Sequence, residues 1–320
     1  MKRMYRRILS LVLSMALLLS ISSICASAES VTTKSYTILT WSRDGSVVSE
    51  QYTINTLNTR APRIKEAYRP NNLFSGLQTD DVARGNITSQ DDVNARQYPY
   101  CAVGYIEAYF DYDQDGSIAD EDGYSIGTAF LEAEDIILTA AHCVYSIELG
   151  AWAQKVVFYP AKNAPTDSYS ASHSSEAIHI SISQNYVNGV DYTDWAICQL
   201  EDNLGDTFGW FGLSGEPAVG LDLTLSGYPG DDGYVEHGYQ YRTLGEIENI
   251  VNSNFFWASN YSYPGYSGGP LYDDNCTVFC ICAVGGGSTP QEIDTGATSF
   301  PPWLFDMIID ACDASASRWD

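Results

Sequence analysis

Ser267 lies in Asn260-Tyr-Ser-Tyr-Pro-Gly-Tyr-Ser-Gly-Gly-Pro270, where glycines flank a hydroxyl in a segment that packing alone would hardly specify. A serine becomes a nucleophile when a neighbouring base takes its proton and backbone N–H groups meet the oxyanion that forms. His142 is the candidate base. It sits in Leu138-Thr-Ala-Ala-His-Cys143 after an apolar, strand-like run, and its small neighbours leave room for an imidazole. Asp194 opens the strand-like run Asp194-Trp-Ala-Ile-Cys-Gln-Leu200, and its carboxylate is the candidate to orient the ring and stabilise the imidazolium.

These residues occur in the order His, Asp, Ser, separated by 52 and 73 positions. That order differs from those of subtilisin and the α/β-hydrolases. Gly265-Tyr-Ser-Gly-Gly269 also satisfies the nucleophile elbow of lipases and esterases, but that arrangement needs a histidine after the serine. All four histidines, His142, His173, His179 and His237, precede Ser267. The same gap argues against a cysteine protease built on Cys280 or Cys282 in the caspase or papain order. Each motif alone has a plainer reading, as a turn, a packed core histidine or a strand cap. Together, in this order and behind an export signal, they favour catalysis.

Thr139-Ala-Ala-His-Cys143, Asp194-Trp-Ala-Ile197 and Gly265-Tyr-Ser-Gly-Gly-Pro270 resemble the motifs of chymotrypsin-fold serine proteases. Gln97-Tyr-Pro-Tyr-Cys-Ala-Val103, Gly209-Trp-Phe-Gly-Leu213 and Leu225-Ser-Gly-Tyr-Pro-Gly-Asp231 narrow the resemblance to the secreted bacterial glutamyl endopeptidases and their relatives. The likeness runs from about Asn86 to the C-terminus. It implies that Gly265 and Ser267 supply the oxyanion N–H groups. Tyr261 stands where trypsin-like enzymes place a pocket aspartate, so Lys/Arg specificity is not supported. Ser262 stands where the glutamyl branch has a hydroxyl for the substrate carboxylate, but the histidine of that branch's pocket wall aligns with Ala283. Glutamate and apolar or aromatic preferences are therefore both open. Tyr266 replaces the aspartate that pairs with a new N-terminus in trypsin-like activation, which excludes that route.

Asp111-Tyr-Asp-Gln-Asp-Gly-Ser-Ile-Ala-Asp-Glu-Asp122 follows a calcium-loop pattern, with Asp111, Asp113, Asp115, Ser117 and Asp122 as candidate oxygen ligands and Gly116 at the turn. The flanks read as strands rather than EF-hand helices. A solvated acidic hairpin tip is the alternative, and a bound calcium there would be structural. Catalysis itself needs no cofactor. No H-E-x-x-H zinc motif occurs, and His173 and His179 read as surface and strand residues.

Short alternating runs must position these groups: Tyr100–Phe110, Ser125–Leu131, Lys155–Tyr159, Glu176–Ser181, Leu221–Leu225, Tyr239–Ile250 and Thr277–Val284, with turn signals between them. Such a pattern predicts an all-β sandwich or barrel pair. A helix is expected from Trp303 to Cys312, after Pro301-Pro302, in a segment bounded at 303–313. The resemblance sharpens the fold to two six-stranded antiparallel β-barrels, at about 97–200 and 205–300, with catalysis in the cleft between them.

Lys2, Arg3, Arg6 and Arg7 precede an apolar run from Ile8 to about Ile24, and Ala26-Ser-Ala28 offers a small-residue cleavage site, the make-up of a secretory signal peptide over residues 1–28. Residues 29–84 form a polar lead, strand-like only at Ser35–Trp41, and are expected to be a propeptide, with Arg84-Gly85, Arg60 or Arg63 as processing sites. The protease domain would then be 85–320. Removing the signal takes the formal charge from −25 to −29, which excludes nucleic acid as a partner. Cys101, Cys143, Cys198, Cys276, Cys280, Cys282 and Cys312 remain, an odd number, so at least one is free. Cys143 is expected to seek a disulfide partner such as Cys101; reduced core thiols are the alternative. The sequence thus predicts a secreted, monomeric serine endopeptidase acting on proteins or peptides, with no membrane association once the signal is gone. A calcium-stabilised binding module without turnover and an esterase are the competing classes.

Overall fold

The computed structural model describes residues 33–55, 64–70, 91–118, 123–190, 192–230, 236–286 and 294–319. An N-terminal hairpin pairs β1 (Thr33–Ser42) with β2 (Val47–Asn55). Two short strands, β3 (Ile64–Lys65) and β4 (Asp91–Asp92), follow.

The first barrel is made by β5 (Val103–Tyr109), β6 (Ser125–Leu131), β7 (Ile136–Thr139), β10 (Lys155–Pro160), β11 (Ser175–Ser183) and β12 (Ala196–Leu200), with a small ribbon, β8 (Tyr145–Ser146) and β9 (Ala151–Trp152), outside it. Strand β10 bonds to both β5 and β11, which closes the ring of six strands. Closure removes the open edges that an antiparallel sheet would otherwise expose. The predicted runs fill these strands because their β-branched and aromatic residues point inward; Val103, Phe130, Leu138, Phe158, Ile180 and Leu200 are fully buried.

The second barrel is closed in the same way. It comprises β14 (Asp222–Gly227), β15 (Tyr241–Asn252), β16 (Phe255–Ala258), β17 (Pro270–Tyr272), β18 (Thr277–Gly286) and β19 (Asp294–Ser299), with β17 bonding to both β14 and β18. Outside it, β13 (Gly212–Ser214) runs parallel to β18 and carries β3, while β4 pairs with β15. Three short helices, α1 (Ser168–Ser172), α2 (Gln184–Val187) and α3 (Gly205–Phe208), connect strands.

The C-terminal helix α4 (Pro302–Trp319) is longer than the periodic run that predicts it. Tertiary anchors extend it: the Ser315 hydroxyl accepts from the Asp135 amide at 3.3 Å, and Arg318 donates to the buried Asp135 carboxylate at 2.5 Å. No helix among the described residues is long and apolar enough to cross a membrane.

All seven described cysteines are free, which corrects the expected pairing of Cys143 with Cys101. Cys101 Sγ donates to the Phe208 carbonyl at 3.2 Å, whereas Cys143 Sγ turns to the Ser267 carbonyl at 3.6 Å. Burial pushes the Cys101 thiol up to about 12 and that of Cys276 to about 11, so both behave as small protonated packing groups.

Candidate active site

His142 leaves the first barrel just beyond β7, in a short 3₁₀ turn at Ala141–Cys143. Ala140 and Ala141 are fully buried, which leaves the ring free to turn outward. Strand β12 pairs antiparallel with β7 so that Ala196 faces Thr139. Continuing that register two residues beyond the strand end brings Asp194 opposite the His142 turn. Both carboxylate oxygens are then used: Oδ1 accepts from the His142 amide at 2.9 Å, and Oδ2 lies 2.7 Å from His142 Nδ1. This fixes Nδ1 as the protonated nitrogen of the neutral ring and leaves Nε2 as the acceptor. Burial acts to lower the His142 pKa, but the neighbouring Cys143 sulfur and the Asp194 carboxylate outweigh it and hold it well above the ordinary imidazole value.

Ser267 is held on a tight turn at the junction of the barrels. Within the turn, the Tyr266 amide donates to the Tyr263 carbonyl at 3.0 Å and the Gly269 amide to the Tyr266 carbonyl at 2.8 Å. Gly268 and Cys282 tie the turn to β18, donating to the Cys282 and Gly269 carbonyls at 2.8 and 2.9 Å. Two glycines are obligatory. Gly265 has φ +107°, and a Cβ there would lie 2.3 Å from the Tyr228 carbonyl; Gly268 has φ +85°, and its Cβ would meet the Thr128 carbonyl and Thr139 hydroxyl at 2.1 Å.

The first barrel reaches across to grip this turn. The Thr128 amide donates to the Ser267 carbonyl at 2.8 Å, and the Thr128 hydroxyl donates to the Gly265 carbonyl at 2.7 Å while accepting from the Tyr228 amide at 3.0 Å. The Thr128 carbonyl accepts from the Thr139 hydroxyl at 2.7 Å, three residues before His142. Sequence reading missed Thr128. Its available signal was a hydroxyl amid the apolar run Ser125-Ile-Gly-Thr-Ala-Phe-Leu131, fully buried in the fold. Ser267 and His142 remain partly exposed at the surface of this junction.

Beside Asp194 opens a cleft of about 410 Å³ lined by Tyr186, Val190, Tyr192, Phe255, Trp257, Ala283 and Val284, among others. The Tyr192 and Phe255 rings lie 4.6 Å apart, and Asp194 is the one charged side chain among its lining residues. Ala283 is among the residues that line this cleft; Tyr261 and Ser262 lie outside it. Tyr261 is buried, its carbonyl accepting from the Thr243 hydroxyl at 2.8 Å, and Ser262 is buried with its hydroxyl near the Cys282 thiol.

The sequence profile of the trypsin family matches residues 87–304, spanning both barrels and all three motifs. The chain belongs to the trypsin family. It is 27% identical to a glutamyl endopeptidase of Bacillus licheniformis over 238 residues, covering 72% of this chain and 66% of the relative. It is 28% identical to an extracellular metalloprotease of Bacillus subtilis over 173 residues, covering 50% of this chain and 51% of that protein. The chain thus spans about half to two thirds of the length of these relatives. A solved Glu endopeptidase superposes with a TM-score of 0.57 at 24% identity, covering 70% of this chain and 96% of that one. That likeness confirms the chymotrypsin-type double barrel with its C-terminal helix.

The predicted acidic loop lies between β5 and β6. Carboxylate oxygens of Asp111, Asp113 and Asp115 all fall within 4.8 Å of one another. Asp111 also accepts from the Asp115 and Gly116 amides at 3.1 and 2.9 Å, and the Ser117 hydroxyl donates to Asp115 at 2.7 Å. Asp122 lies outside the described residues. His173 follows α1, its Nδ1 2.8 Å from the Tyr169 carbonyl, and His179 lies on β11, its Nδ1 3.0 Å from the Ser42 hydroxyl.

Proposed function

We propose that this trypsin-family chain is a secreted serine endopeptidase. Ser267 Oγ attacks the carbonyl carbon of a peptide bond while His142 Nε2 takes its proton. The tetrahedral oxyanion is held by the Gly265 and Ser267 amides. Collapse breaks the C–N bond, His142 returns the proton to the leaving amine, and water then hydrolyses the acyl-enzyme by the same proton path. Asp194 orients His142 and stabilises its protonated form. The observation that carries this reading is the use of both Asp194 oxygens on His142, one on its backbone and one on Nδ1.

The substrate preference fits apolar or aromatic side chains better than glutamate, because the cleft beside Asp194 is lined mainly by aromatic and aliphatic groups and carries a negative charge. The highly acidic chain would also repel acidic peptides at low salt. The basic and apolar N-terminal segment supports export, and the substrates would be proteins or peptides met outside the cell by a monomeric enzyme that binds neither nucleic acid nor membrane. Asp111, Asp113 and Asp115 would take a calcium ion as a brace for the β5–β6 loop, with no part in the chemistry.

The test compares the processed protein with its Ser267→Ala variant, using a fluorophosphonate probe and mass-spectrometric mapping of cuts in a denatured protein mixture. Labelling of Ser267, with cuts after apolar residues that vanish in the variant, is expected. Unlabelled Ser267 in folded, processed protein would sink the reading and favour a binding module.

A further inference from the structure

The family match begins at residue 87, yet the described chain upstream of it pairs with β11 of the first barrel and with β13 beside the second. Strand β1 bonds along β11 from Ile38 opposite Ser183 to Ser42 opposite His179, setting Leu39 and Trp41 across from the buried Ile182 and Ile180. Ile38 and Trp41 are 6% and 4% exposed and belong to the same core as Trp195 and Trp303. The Tyr36 ring stacks on Trp303 at 3.9 Å, and Trp303 meets Trp195 edge-on at 5.8 Å. Trp195 is the residue after Asp194, so the hairpin buttresses the strand start that presents the carboxylate. Polar contacts hold its rim: Arg43 forks onto Glu201 at 2.5 and 3.2 Å, and the Tyr52 hydroxyl donates to Asp310 at 3.1 Å.

Residues 64–70 make a second, independent attachment. Tyr68 exchanges two backbone hydrogen bonds with Trp210 at 3.0 Å each, and its ring lies against the Trp210 ring at 4.3 Å with a 31° tilt. Lys65 inserts beside Glu132, whose side chain is wholly buried, donating to its carbonyl oxygen and lying 3.2 Å from Oε1. Even with Lys65 in place, burial raises the Glu132 pKa to about 7. Losing Lys65 would remove the donor to Oε1 and to the Glu132 carbonyl and raise that pKa further, leaving a buried polar group short of partners. Among the described residues, none from 33–55 or 64–70 lines the cleft beside Asp194. These residues therefore brace the start of the strand that presents Asp194 and stay out of that cleft.

We propose that residues 33–55 and 64–70 are a permanent structural part of the working molecule, staying seated on the barrels after the chain between residues 71 and 90 has been cut. A propeptide that departs would carry away two core side chains, a strand of the first sheet and the partner of Glu132. Processing then yields a two-chain protein, a short N-terminal chain clamped by β11, α4 and β13 onto the double barrel. This rests on packing alone and is independent of the proposed catalysis.

The experiment uses the full chain carrying Ser267→Ala, to prevent self-cleavage, with a recognition sequence for a site-specific protease inserted between Thr79 and Asp80. After complete cutting, the two fragments are expected to co-elute in native size-exclusion chromatography, unfold in a single transition and separate only in denaturant. Elution of the N-terminal fragment alone in plain buffer, leaving a remainder that is folded and unfolds as the uncut protein does, would overturn the proposal. Trp41→Ala in the cut protein is expected to weaken retention of the fragment at least tenfold, and unchanged retention would equally overturn it. The same cut made with Ser267 intact separates the two readings, because co-elution without fluorophosphonate labelling supports retention while removing the catalytic role.

Discussion

Thr128 and Ser267 belong to different barrels, yet the Thr128 amide donates to the Ser267 carbonyl at 2.8 Å while its side chain holds the Gly265 carbonyl two residues earlier at 2.7 Å. One residue of the first barrel thus pins both ends of the segment whose N–H groups would face the oxyanion. The turn that carries Ser267 on one barrel is in this way registered against the histidine carried by the other.

Thr128→Val keeps the shape but removes the hydroxyl, leaving the buried Gly265 carbonyl and Tyr228 amide without that partner. A stability loss of about 2–4 kcal/mol is expected from two such groups. A fall in kcat of about 100-fold is expected if the turn shifts by as little as an ångström. Thr128→Ser should restore both, and denaturant melts with active-site titration measure them. Full activity in the valine variant would show that the turn is positioned without this bond.

Asp194→Asn should lower kcat by about 10⁴-fold, the scale known for the equivalent change in the type enzyme of this mechanism, because the amide favours the wrong tautomer. Since Asp194 helps raise the His142 pKa against burial, the apparent pKa of kcat/KM should also fall. In the native protein, activity should grow with pH through a midpoint above 6.5. The sign for stability is opposite: the His142–Asp194 pair contributes fully below the unfolded imidazole pKa, and that contribution is lost as pH rises through the higher folded value. A pH–rate profile of the two proteins decides the matter, and coincident midpoints would contradict the role given to Asp194.

Glu132 should make the fold less stable as pH rises. Its folded pKa of about 7 exceeds the ordinary 4.5, so the folded state holds a proton that the unfolded state releases. The contribution of Glu132 to stability is greatest below pH 4.5, falls by about 3 kcal/mol as pH rises from 4.5 to about 7, and is gone above that. Glu132→Gln should flatten that slope, and Lys65→Met should steepen it by removing the charge that opposes the rise. Urea melts at pH 5 and pH 8 test this, and parallel slopes in all three proteins would refute it.

Calcium at millimolar concentration should raise the melting temperature, by about 2.7 kcal/mol of stability at one hundred times Kd. The clustered Asp111, Asp113 and Asp115 carboxylates repel one another without a cation. Asp113→Asn with Asp115→Asn should abolish the response to calcium and leave the melting temperature in chelator unchanged or higher. No shift in the native protein at 10 mM calcium would reduce the loop to a solvated hairpin tip.

The residue types were legible from sequence because chemistry restricts them. A nucleophilic serine needs glycine neighbours on a tight turn, a base needs small residues around its ring, and strands of closed barrels need alternating apolar side chains. The order of His142, Asp194 and Ser267, and most barrel strands, could therefore be read along the chain. Contacts between distant segments could not. The reach of Thr128 depends on how one barrel is set against the other, and the pairing of Asp194 with His142 depends on the β7–β12 register. The seven free thiols reflect separations that sequence spacing does not encode. Strand β2 has an exposed outer surface and few core contacts, so it carries little periodic signal, and β1 becomes structural only because β11 offers it an edge. The identity of the candidate reacting groups was written locally, whereas their placement, and the pairing of the N-terminal segment with β11 and β13, arise from non-local packing that exists only once both barrels have closed.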